Sequence, residues 1–103
     1  MEVSTGYTVN TIVLSVDSYN NPFSAVTFNT TMFQNGSVYT GLTLSYNLVN
    51  PATASFNFSW SASTFGDYQF YAQNNVTGTL FISDIVNVIP NPNDIVVNVY
   101  TGE

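Results

Sequence analysis

Apolar residues recur at every second position along most of this chain, and that period constrains the fold more than any other feature. In Ala54-Ser55-Phe56-Asn57-Phe58-Ser59-Trp60, four apolar side chains alternate with three small polar ones. A strand gathers such a set on one face, whereas a helix scatters it around the axis. Trp60 is the expected core anchor of that strand. Ile12, Leu14 and Val16 alternate with Val13, Ser15 and Asp17, which makes the first three the apolar row of an earlier strand. Val26, Phe28, Thr30 and Met32 alternate with Thr27, Asn29 and Thr31, and Leu42, Leu44, Tyr46 and Leu48 with Thr43, Ser45 and Asn47. Tyr68, Phe70 and Ala72 continue the pattern, and no stretch has a convincing helical period.

Turn chemistry separates these runs. Asn20-Asn21-Pro22, Asn35-Gly36 and Asn50-Pro51 are breakers, and Asn-Gly is the pair favoured in two-residue hairpins. Phe65-Gly66-Asp67 marks a corner, and the stretch 73–78 turns into a last run from Leu80 to Val88. Alternation slips there at Ser83-Asp84, which predicts a bulge or an edge. About seven strands at roughly ten-residue spacing predict an all-β, immunoglobulin-like Greek-key antiparallel sandwich. The alternative, a jelly roll, wants eight strands and usually a longer chain. The predicted organisation is a sandwich over 1–88, a proline-containing spacer over 89–93 and an extra C-terminal strand within 94–103. At 103 residues the chain suits one domain.

The side chains that are missing exclude most chemistry. There is no Lys, Arg, His or Cys, and the charged residues are Glu2, Asp17, Asp67, Asp84, Asp94 and Glu103. Nucleic acid needs cations to displace counterions from phosphates, and anionic membranes attract basic segments, so neither partner is expected. Disulfides and Cys/His zinc sites have no ligands. Serine and cysteine nucleophiles have no His or Lys base, and the carboxylate pair or hydrated metal that remains needs positions the sequence does not display, so no enzyme and no cofactor is expected. No run is long and apolar enough to insert into a membrane as a helix. The N-terminus lacks the basic and apolar regions of a signal peptide, so an extracellular location implies that the export signal has been removed or that Met1 is an added start. A fold without cations cannot depend on side-chain ion pairs, which suits an acidic exterior.

The span from "TIVLSVDS" to "DIVNV" resembles the Ig-like repeat domains of bacterial and archaeal cell-surface proteins. Those domains share the order of strands like "AVTFNTTMF", "GLTLSYNL" and "TASFNFSWSAS", then a "G-x-Y-x-F" strand, here Gly66-Asp67-Tyr68-Gln69-Phe70. The resemblance covers residues 10 to 88 and implies a structural role for Tyr68, whose hydroxyl would cap the adjoining corner. The Thr/Asn/Ser-rich, base-free composition is similar to that of surface-layer proteins and surface filaments of acid- and heat-loving archaea. It implies an extracellular, cell-surface location.

Four sequons place candidate N-glycosylation sites at Asn29, Asn35, Asn57 and Asn75. Fourteen asparagines would give about three by chance, so the number itself decides nothing. Position says more: Asn29 and Asn57 are expected on outward strand faces, Asn35 and Asn75 in turns, where a glycan fits. The aspartates stand singly, without a D-x-D-x-D loop, and read as solvated turn and edge charges rather than calcium ligands. Tyr7, Tyr19, Tyr39, Tyr71 and Tyr100 are scattered along the chain, as a lectin's stacking face would not require.

Ile95, Val96, Val97, Val99 and Tyr100 make the late strand apolar on both faces, so it needs a sheet. Three placements are open: folding back onto its own domain, adding to a neighbouring copy's sheet, or starting a further domain. Donation to a neighbour makes a head-to-tail contact that propagates. The expected function is a non-enzymatic structural module of an extracellular filament or surface lattice. Its partners are copies of itself or adjacent surface domains. A surface module that binds a glycan or a protein is the rival from another class, and a viral coat or spike protein is a second structural rival.

Overall fold

A computed structural model describes residues 1–90, and among them every regular element is a strand. The nine strands are β1 (Glu2–Ser4), β2 (Thr8–Leu14), β3 (Phe28–Gln34), β4 (Ser37–Val38), β5 (Ser45–Asn50), β6 (Ser55–Ser61), β7 (Gly66–Asn74), β8 (Leu80–Ile82) and β9 (Val86–Ile89). One sheet runs β2-β6-β5; the other runs β1-β9-β7-β3-β4, with β8 also on β7. The chain crosses between sheets after β1, β2, β4 and β6, as a two-sheet Greek-key sandwich requires.

The inward rows of the two sheets form the core. Phe56, Phe58 and Trp60 of β6 face Phe28 and Met32 of β3 and Tyr68, Phe70 and Ala72 of β7, all buried. Phe28 meets Phe56 and Phe58 edge-on at 5.1 Å, and Phe58 stacks on Phe70 at 5.5 Å. Such pairs add about 0.5–1.5 kcal/mol each beyond area burial. The Asn35-Gly36 turn joins β3 to β4 with both residues at positive φ, 51° and 83°, and pairs Gln34 with Ser37. That is the backbone geometry for which Asn-Gly is selected.

Several expectations need correction. The first strand presents its other face: Val9 and Val13 are buried, while Ile12 and Leu14 are 57% and 61% exposed. Pairing with β6 sets this phase, because Val9 and Val13 lie opposite Trp60 and Phe56. The sheet is not wholly antiparallel, since β1 runs parallel to β9 with Ser4 opposite Ile89. Ile89 therefore ends a strand rather than opening the spacer. The last run divides at 83–85 into β8 and β9, both on the same side of β7. The expected C-terminal strand, with Ile95, Val96, Val97, Val99 and Tyr100, lies outside the described residues.

Candidate functional site

The sandwich has two unequal sheets, and the β2 edge of the smaller one is open among the described residues. β2 pairs with β6 on one side and with no described strand on the other. The Ser15 N–H donates to the Ala54 carbonyl on the β6 side at 3.0 Å. Strand backbone groups alternate sides, so the N–H and C=O of Asn10, Ile12 and Leu14 point away from the sheet. Seven residues thus present an open edge that contains no charge and no proline. Natural edges are normally protected by one or the other.

Beside that edge the two sheets part. One cleft of about 570 Å³ lies between Val9 and Ile12 of β2 and Phe81, Ile82 and Val86 of the facing sheet. A second of about 130 Å³ continues it between Val13 and Leu14 and Ala72, Leu80 and Phe81. Phe81 lines both. A seam therefore follows β2 along its length, apolar at Val9, Val13, Leu80, Phe81 and Val86 and polar at Thr11, Ser83 and Asp84.

The residues singled out from sequence occupy separate places. Tyr68 is fully buried, and its hydroxyl donates to the Thr64 carbonyl at 2.9 Å. The same oxygen accepts from Gln34 Nε2 at 2.9 Å and lies 2.8 Å from Thr64 Oγ1, so the strand and the preceding corner share one hub. Asn29, Asn35 and Asn75 are exposed and Asn57 is half-buried. Asn57 Nδ2 donates to Asn10 Oδ1 at 3.1 Å and Asn75 Nδ2 to Thr27 Oγ1 at 3.1 Å. Asn35 Oδ1 accepts from the Asp67 N–H at 2.9 Å. Asn29 is the sequon residue whose amide makes no bond to a described neighbour.

The carboxylates do not converge: among the described residues no three potential metal ligands gather. Asp17 Oδ1 accepts the N–H groups of Tyr19 and Asn21, each at 2.9 Å, and closes its own turn. The backbone donation from Asn21, helped by that from Tyr19, holds the Asp17 carboxyl below the usual aspartate range. Asp67 Oδ1 accepts from Asn87 Nδ2 at 2.8 Å, and Asp84 is exposed. Asp94 and Tyr100 lie outside the described residues.

Of the scattered tyrosines, Tyr7 and Tyr19 are exposed and Tyr39 packs on Tyr68. Tyr71 lies against Phe33, ring centroids 4.7 Å apart, on the outer face of the larger sheet. The pair borders a depression of about 410 Å³ with Asp67 and Gln69 at its side.

Sequence reasoning missed the β2 edge. Its signal was the unbroken run Ile12-Val13-Leu14, which no single inward row can absorb. Comparison with protein-family models, with curated proteins and with solved structures gives no match to this chain.

Proposed function

We propose that this protein is a non-enzymatic structural subunit of an extracellular filament or surface lattice, assembling by β-strand addition with copies of itself or with adjacent surface domains. One observation carries the reading: the sandwich leaves a long uncharged sheet edge unpaired among the described residues, in a chain with strand-forming sequence to spare at 94–103. An isolated soluble domain gains nothing from either feature, and each invites aggregation alone. The exterior is consistent with life outside the cell, because hydroxyl and amide groups, with sequon asparagines at the surface, replace charge as the source of solubility.

Negative-stain electron microscopy of the full chain, at neutral and at acid pH, tests the proposal. Filaments or sheets are expected, and a chain ending at Pro90 is expected to form neither. Dispersed monomers from the full chain at every concentration would remove the reading.

A second reading rests on the Phe33–Tyr71 pair. An aromatic platform beside Asp67 and Gln69 has the make-up of a sugar-stacking surface, and it would make the protein a glycan-binding module. In that case a glycan array retains the protein, and Tyr71→Ala abolishes the retention while the chain stays monomeric.

A further inference from the structure

We infer that the outer edge of β2, with the seam beside it, is the acceptor for the C-terminal segment Ile95–Tyr100 of a second copy of this chain. The inference rests on the assembly reading above and adds which edge is used and what occupies it.

The edges available to an incoming strand are not equivalent. The free edge of β4 spans two residues, and that of β1 spans three and carries Glu2. The β5 edge is interrupted by a register shift between Leu48 and Asn50 and ends at Pro51. β2 pairs without interruption over seven residues, Thr8 to Leu14, and has neither charge nor proline. The stretch Asp94–Tyr100 is also seven residues long.

The faces agree as well. A strand laid along β2 turns one row into the seam beside Val9, Val13 and Phe81 and the other outward beside exposed Ile12 and Leu14. Apolar side chains stand on both sides, with Thr11, Ser83 and Asp84 also lining the seam and Thr8 and Asn10 on the outward face, so an occupant largely apolar on both faces is accommodated. Ile95, Val97 and Val99 form one row, and Val96, Asn98 and Tyr100 the other. The same property that makes this segment hazardous alone fits it to this edge. The outward N–H and C=O groups of Asn10, Ile12 and Leu14 then gain partners, which is strand addition in its general form.

A second copy is favoured over the chain's own tail by where β9 ends. Ser4 lies opposite Ile89, and the Thr5 N–H donates to the Ile89 carbonyl at 2.9 Å, three residues before β2 begins. The chain thus leaves the sandwich at the Thr8 end of its own seam. Entering that seam demands an immediate reversal within Pro90-Asn91-Pro92, where each proline biases the preceding residue toward extended backbone. A segment that instead continues outward would reach the next molecule. Donor and acceptor are different surfaces, so the contact repeats head to tail without closing.

The test uses the absence of cysteine. Full-length Val97→Cys and Asn98→Cys, one from each row, are mixed separately with full-length Asn10→Cys, Ile12→Cys or Leu14→Cys, each tagged to a different mass, and oxidised. A disulfide-linked heterodimer is expected with at least one β2 position and none with Leu48→Cys on β5. Chains carrying both cysteines are expected to link into ladders on a denaturing gel. Ile12→Pro removes an outward-pointing N–H while sparing the β6 ladder, so it should cut assembly at least tenfold in a folded monomer. A full chain that never assembles overturns both this inference and the assembly reading. Assembly that crosslinks through Leu48 overturns the β2 assignment alone. A double-cysteine chain that closes only on itself overturns the assignment to a second copy.

Discussion

Individual side chains here do the work that ion pairs do elsewhere. The buried Tyr68 hydroxyl joins Gln34, Thr64 and the corner backbone. Tyr68→Phe keeps the ring but leaves those partners short of a bond, and should cost about 1–3 kcal/mol in chemical denaturation. Trp60 offers the contrast, because its buried indole N–H has no hydrogen-bond partner among the described residues. Trp60→Phe therefore removes an unpaired donor along with some volume. It should cost about 1 kcal/mol, against about 3–5 kcal/mol for Trp60→Ala. Asp17 gives the pH behaviour. Its carboxyl is held below the usual range by the backbone N–H groups of Asn21 and Tyr19. The folded state thus favours the ionised form, and the resulting stability is present above the unfolded carboxyl pKa of about 3.9. It is lost as pH falls through the lower folded value. Melting temperature should therefore stay level from pH 7 to about 4 and decline slightly below that. Asp17→Asn, neutral throughout, should flatten the decline; an equal decline in the variant would assign the effect to another group.

At the level of strands, legibility followed how many partners set the phase. β6 and β7 lie inside their sheets, and their alternating rows are the buried rows. The Asn-Gly turn was readable because its backbone requires those two residues. β2 was not readable in phase, since apolar residues stand on both its faces and only its register against β6 decides between them. β1 was missed because three residues carry no period, and their pairing comes from a strand more than eighty positions later. The break between β8 and β9 was visible as a slip, but its chemistry was not. The Ser83 hydroxyl accepts the Phe70 N–H at 2.9 Å, and the Ser83 N–H donates to the Phe70 carbonyl at 2.9 Å. A side chain has taken over one rung of the ladder. Ser83→Ala should leave the Phe70 N–H unpaired in the interior and cost about 1–3 kcal/mol. Hydrogen exchange would show the loss as faster exchange at Phe70, with the β3–β7 pairing unchanged. The open β2 edge was the least legible feature, because an open edge is defined by what does not pair with it.

For the whole molecule the deciding quantity is charge of one sign. The chain carries a formal net charge of −6 at pH 7 and no basic side chain to offset it. Copies of such a protein repel one another, and no interface between them can contain a side-chain ion pair. An interface through β2 must then draw on backbone hydrogen bonds and apolar burial, neither of which weakens as salt screens charge. What salt does weaken is the repulsion. Raising ionic strength from about 0.01 M to about 0.1 M shortens the screening length from about 30 Å to about 10 Å. It should shift the full chain toward assembly, as read by sedimentation velocity. Lowering the pH toward 4 should act in the same direction, because protonating carboxylates reduces the repulsion while breaking no ion pair. The two effects should overlap: acid should add little at high salt, where repulsion is already screened. Assembly that loosened with either treatment would mean that an electrostatic attraction holds the copies together. In a chain without Lys, Arg or His, that attraction would have to come through the Met1 ammonium or through a bound cation bridging carboxylates, and a chelator would dissolve the assembly in the second case alone.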